Sequence, residues 1–138
     1  MPVEPGLYHI KNAVTWTTID ESTDGQRVVN GWKQTNQMNQ LWRVQPVAGG
    51  AYSIQNAASG SFLHTNGPYN GSKLVGSKTY STWYLDQQPG GSVYIIFPGS
   101  NHIVGLENGN VADGTSIHLW ERNSTGAKHQ KWYFEKRG

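Results

Sequence analysis

The chain has 138 residues and no cysteine, a length that fits one domain burying about two thirds of its unfolded surface and a composition that excludes disulfides, thiolate metal sites and a cysteine nucleophile. Charged residues make up 14% and the net charge is only +2, against about 25% charged in an average domain, so the phosphate neutralisation behind nucleic-acid binding is not available. No apolar run approaches the roughly 18 residues of a membrane span, and Met1-Pro2-Val3-Glu4-Pro5-Gly6 has neither the basic nor the apolar region of a secretion signal. A cytoplasmic location without membrane insertion is therefore expected.

Taken in chain order, the elements repeat. Gly6-Leu7-Tyr8-His9-Ile10-Lys11-Asn12 returns as Gly50-Ala51-Tyr52-Ser53-Ile54-Gln55-Asn56, and more loosely as Ser92-Val93-Tyr94-Ile95-Ile96-Phe97, with Tyr8, Tyr52 and Tyr94 spaced 44 and 42 residues apart. Each unit closes on a tryptophan: Gln40-Leu41-Trp42, Ser81-Thr82-Trp83 and Gln130-Lys131-Trp132. Between these marks stand Asp24-Gly25 through Trp32 in the first unit, Asn70-Gly71 through Gly76 in the second and Asp113-Gly114 through Trp120 in the third. The chain 1–138 thus divides into repeats at about 6–48, 49–90 and 91–135.

Short alternating segments such as Tyr-x-Ile, set between Gly, Asn, Asp and Ser clusters, predict strands and tight turns. No long segment keeps a helical apolar period, so the fold class is all-β, with about four strands per repeat. Three units are too few for the usual propeller and favour a small closed barrel with a hairpin cap. The Tyr, Ile and closing Trp of each repeat are expected to meet in one core. Polarity carried by uncharged groups, at a mean hydropathy of −0.61, with six Trp and seven Tyr, suits a hydroxyl-rich ligand.

Two Gly-x-Tyr-x-Ile-x-Asn marks and a looser third, in register with closing Gln-x-Trp motifs, resemble the ricin-B-like β-trefoil lectins, in the short cysteine-free form of the small mushroom members. The resemblance covers residues 6 to 135 and implies a β-trefoil of twelve strands, one potential sugar site per repeat, and galactose or N-acetylgalactosamine as ligand. Two departures stand out: Ser81 replaces the Gln of the second motif, and the disulfides of secreted relatives are missing. The family pattern has a carboxylate about twelve residues beyond the Tyr, an aromatic ending the middle strand, and an Asn before the Gln of Gln-x-Trp. An aromatic face stacks on the sugar ring, the carboxylate accepts from vicinal hydroxyls and the amide completes the set.

Repeat one carries the whole pattern in Asp20, Trp32 and Asn39. Asn30 and Lys33 flank Trp32 and are expected at the ligand or at a second sugar unit, while Gln40 is expected to bond backbone or Asp20. In repeat two His64 stands at the carboxylate place and Tyr80 at the Asn place; in repeat three Trp120 and His129 are present, but twelve residues beyond Tyr94 falls Leu106. One working site is therefore expected, in repeat one.

Nothing in the chain has the form of a catalytic motif, and the five histidines lack metal-ligand spacing such as His-x-x-x-His. A non-enzymatic lectin without cofactor is expected, binding terminal galactose or N-acetylgalactosamine glycans of the β-galactoside and N-acetyllactosamine type. The family resemblance implies a defence role, and a single complete site implies a homodimer. The alternative weighed is a β-trefoil protease inhibitor acting through its surface loops, a class that Gln-x-Trp does not mark.

Overall fold

The computed structural model describes residues 3–138. Repeat one holds β1 (Gly6–Asn12), β2 (Thr18–Glu21), β3 (Val29–Trp32) and β4 (Trp42–Pro46). Repeat two holds β5 (Tyr52–Asn56), β6 (Phe62–His64), β7 (Val75–Ser77) and β8 (Thr82–Gln87), and repeat three β9 (Val93–Ile96), β10 (His102–Leu106), β11 (Thr115–Glu121) and β12 (Trp132–Lys136). The first and last strands of each repeat pair around a closed ring, β1–β4–β5–β8–β9–β12 and back to β1. The middle pairs form three hairpins, β2–β3, β6–β7 and β10–β11. These tie to one another through β3–β11 and through the Val28–Val75 and Lys73–His118 bridges. A six-stranded barrel capped by three hairpins is a β-trefoil, and closing the ring leaves the barrel no edge strand.

Alternation along each barrel strand puts every second residue inside. Ile10, Ile54 and Ile95 are completely buried, as are Trp42 and Trp132, with Trp83 nearly so. In each repeat the closing indole donates a 2.9 Å bond to a carbonyl of the hairpin's first strand: Trp42 to Ile19, Trp83 to Leu63, Trp132 to Val104. A buried indole N–H needs such a partner, and this one locks barrel to cap.

The pairing corrects the third repeat's register. Tyr8 faces Trp42 and Tyr52 faces Trp83, but it is Val93, not Tyr94, that faces Trp132. Val93 and Ile95 therefore take the core places expected of Tyr94 and Ile96. A slip of one residue exchanges the two faces of a strand. Tyr94, although buried, turns to the other face and lies 3.9 Å from the Arg122 guanidinium. Glu21 is also buried, against β7, where a Cβ at Gly76 would run into Glu21 Oε1.

Truncating Trp83 opens a cavity and orphans the Leu63 carbonyl, far from the repeat-one hairpin. Trp83→Ala is expected to lower the unfolding free energy by about 3–5 kcal/mol, read as a lower urea midpoint at unchanged slope.

Candidate functional site

The three indole bonds also give a common ruler for the hairpins. The residue after each accepting carbonyl is Asp20 in repeat one, His64 in repeat two and Gly105 in repeat three. On the strand opposite stand Trp32, Ser77 and Trp120 respectively, paired with Thr18, Phe62 and Ile103. At these corresponding positions repeat one alone joins an acidic group to an aromatic platform.

Asp20 lies on β2 directly across from Asn30 on β3, so the two side chains share one face. Asp20 is 6% exposed. Gln40 Nε2 donates to its Oδ2 at 2.9 Å, and Asn39 Nδ2 donates to the same oxygen at 3.2 Å. Both donors converge on Oδ2, and among the described residues none reaches Oδ1. Burial pushes the Asp20 carboxyl above the ordinary aspartate value, the bonds from Gln40 and Asn39 pull it back in part, and the Asp113 charge adds to the upward push.

Gln40 is fully buried and spends both ends of its amide inside the protein. Besides Asp20 it donates to the Lys33 carbonyl at 2.9 Å, and its Oε1 accepts from the Thr35 N–H at 2.7 Å. It thus fixes Asp20 and the chain after Trp32 without reaching a ligand. Asn39 also donates to the Glu21 carbonyl at 3.1 Å, so its two amide hydrogens are committed and its Oδ1 is the atom left to accept.

Asp20, Asn30, Trp32 and Asn39 line one cleft of about 640 Å³, within the usual range for a small-ligand site. The Trp32 ring is 37% exposed at the end of β3. Asn30 Oδ1 is buried without a hydrogen-bond partner. Lys33, expected at the ligand or at a second sugar unit, stands apart from the other expected residues. Its side chain is not on the cleft wall, because one step beyond Trp32 the strand's alternation turns it away; it takes part through its main chain.

The rest of the wall comes from Ser22, Thr23, Asp24 and Val28 before β3, and from Thr35 and Gln37 after it. Nothing in the repeat pattern marks Thr35 and Gln37, because the stretch between Trp32 and Gln40 differs in length from its counterpart between Trp120 and Gln130.

The other two hairpins keep the scaffold and carry different side chains on it. In repeat two His64 Nδ1 and Ser81 Oγ stand 2.6 Å apart, the same pairing of positions as Asp20 with Gln40, but without a platform. In repeat three a cleft of about 530 Å³ lies beside Trp120, whose ring tilts against His118 at 5.5 Å. Gly105 supplies no side-chain acceptor there, and Gln130 bonds only the Glu121 carbonyl and the Asn123 N–H.

A capped barrel of three like repeats, with a held carboxylate beside an exposed tryptophan, defines a carbohydrate-binding β-trefoil. Residues 1–76 and 39–120 match the family described as ricin-type beta-trefoil lectin domain-like, and the chain belongs to that family. Among solved structures it is similar to the Macrolepiota procera ricin B-like lectin, determined in complex with lactose, at 27% identity and TM-score 0.90 over 99% of this chain and 100% of that one. It is similar in fold to the Rhizoctonia solani agglutinin, at 24% identity and TM-score 0.90 over 99% of each chain. The designed three-fold symmetric protein ThreeFoil shares the fold at 20% identity and TM-score 0.87, over 96% of this chain and 99% of that one. No curated protein sequence matches the chain.

Removing the amide that holds Asp20 tests the geometry directly. Gln40→Ala is expected to lower stability by about 1–3 kcal/mol in thermal unfolding, and to raise the Asp20 titration further, read by carbon-detected NMR of its carboxyl.

Proposed function

We propose that the protein is a lectin for glycans ending in galactose or N-acetylgalactosamine, of the β-galactoside and N-acetyllactosamine type, and that its one working site is the repeat-one cleft. The observation that carries this reading is Asp20, held through Oδ2 by Gln40 and Asn39 with Oδ1 turned to no protein donor, across a hairpin from the exposed face of Trp32. A galactose ring offers one apolar face and a set of vicinal hydroxyls. The apolar face stacks on Trp32, two hydroxyls donate to the Asp20 carboxylate in charge-assisted bonds, and Asn39 Oδ1 accepts from a further O–H or N–H group. The relative determined with lactose supports the choice of sugar.

This chemistry is binding, not bond cleavage. Asp20 is fixed by neutral amides as an oriented acceptor, and every polar group assigned a role accepts or donates a hydrogen bond. One shallow site of this kind binds in the region of 1 mM, about −4 kcal/mol. Useful avidity then takes a second site within reach, so the proposal includes a homodimer. Light scattering at micromolar concentration is expected to give twice 15.3 kDa, and a monomeric mass would remove this part.

Two outcomes test the site. Asp20→Ala is expected to weaken lactose binding in calorimetry by about tenfold or more, and to erase terminal β-galactoside signals on a glycan array. An unchanged array would move the site to another repeat, and an empty array for both proteins would overturn the lectin reading. The ionised carboxylate is the acceptor, and burial raises its pKa, so binding depends on pH from the acid side. It is expected to fail on acidification at a higher pH than the 3.8 of an ordinary aspartate.

A further inference from the structure

The main chain beside the platform tryptophans of repeats one and three is held in each case by a turn from a neighbouring repeat, through corresponding bonds. Asp113 Oδ1 accepts the Lys33 N–H at 2.9 Å, the Gly114 N–H bonds the Gly31 carbonyl at 2.8 Å, and a Cβ at Gly114 would lie 3.9 Å from Trp32 Cζ3. Asn70 Oδ1 accepts the Glu121 N–H at 2.8 Å, the Gly71 N–H bonds the Leu119 carbonyl at 2.8 Å, and a Cβ at Gly71 would lie 3.9 Å from Trp120 Cζ3. Both glycines have positive φ, +89° and +85°, a conformation that places the turn against the ring and that other residues adopt only with strain.

The third turn, Asp24-Gly25, is the internal control. It points at the strand that ends on Ser77, which has no ring to hold. Asp24 Oδ1 is taken up inside its own turn by Ser22 Oγ and the Gln26 N–H, and nothing lies within 4 Å of a Cβ at Gly25. The clip is present where an aromatic stands at the strand end and absent where none does. A purely architectural turn has no reason to track the aromatic.

We propose that Asp113 and Gly114, in repeat three, are positioning residues of the repeat-one sugar site: they hold the main chain on either side of Trp32. The inference rests on the lectin reading above and makes the site a composite of two repeats. Among the charged groups, Glu21 follows Asp20 on its own strand, Asp24 lines the same cleft, and Asp113 acts on it from repeat three. Asp113 raises the Asp20 carboxyl, so the clip couples the orientation of the platform to the pH at which the acceptor is charged.

Two substitutions separate the roles. Asp113→Asn keeps the oxygen that accepts the Lys33 N–H and removes only the charge; lactose affinity at pH 7 is expected to stay within about twofold, while the acid limit of binding moves to lower pH. Asp113→Ala removes the acceptor as well and is expected to weaken lactose by about three- to tenfold, the loss of one such bond. Asn70→Ala, which loosens the clip on Trp120, is expected to leave lactose binding unchanged.

Carbon-detected NMR titration of Asp20 in the free protein gives an answer that needs no sugar: its titration is expected to fall in Asp113→Asn. An unmoved Asp20 titration, or full lactose affinity in Asp113→Ala, overturns the proposal, as does an equal loss in Asn70→Ala, which would signal a general loosening of the cap. If the wild type takes no lactose, the lectin reading falls and the titration alone decides whether Asp113 acts on Asp20.

Discussion

In each repeat a tryptophan at the start of the last strand reaches across the barrel mouth and donates its indole N–H to one carbonyl of the hairpin above, at Ile19, Leu63 and Val104. The ring supplies a large apolar contact to the core, and the single bond fixes the height and rotation of the hairpin on the barrel. The consequence is geometric. The next residue along the strand is set at the same place in all three repeats, on the face opposite the anchored core residue, and whatever side chain stands there faces the same kind of cleft. The site position is therefore a consequence of the core bond, one residue away.

With position supplied by the scaffold, the chemistry is set by a few substitutions. Asp20, His64 and Gly105 occupy the anchored place; Gln40, Ser81 and Gln130 stand beneath it; Trp32, Ser77 and Trp120 end the facing strand. Only the first set combines acceptor, support and platform. Burying Asp20 works against folding, because the folded state disfavours its charge. Two amides on Oδ2 offset part of that cost and leave Oδ1 without a protein donor among the described residues. Repeats two and three have no carboxylate to hold, and their supporting residues turn to other partners: Ser81 to His64, Gln130 to main-chain groups.

Much of this is legible in the sequence because it is local and periodic. Tyr8, Ile10 and Trp42 recur at nearly fixed spacing, and a repeat that must bury the same face three times has to show it. The β-trefoil and the Asp20, Trp32, Asn39 constellation derive from that periodicity and from the family likeness. The one-residue offset in repeat three has the same origin. Tyr94 imitates the motif residue beside Val93, and in a strand one position decides between core and surface; only the pairing with Trp132 separates them. Lys33 stays off the cleft because adjacency to Trp32 in sequence means opposition to it in a strand. The Asp113–Lys33 bond joins residues 80 apart, and no local signal predicts such a contact. The repeated Asx-Gly dipeptides are visible as turns, but a turn motif does not say which neighbour it will touch.

The division between barrel and cap lets the three hairpins differ in chemistry over one common core. The core residues Ile10, Ile54 and Ile95 and the three closing tryptophans lie in the barrel and its mouth, and their burial carries most of the folding free energy. The groups that choose a ligand lie in the hairpins and the loops beyond them, where His64 or Gly105 replaces Asp20 without disturbing the indole bond one residue away. Sites in different repeats are then free to diverge in chemistry at little cost to the fold. They are not independent in geometry, however. The hairpins meet at the three-fold axis through β3–β11 and the two bridges, and the turn leading into one hairpin abuts the strand end of another. A substitution in the turn of one hairpin can therefore act on the strand end of another, through contacts that the symmetry of the cap makes unavoidable.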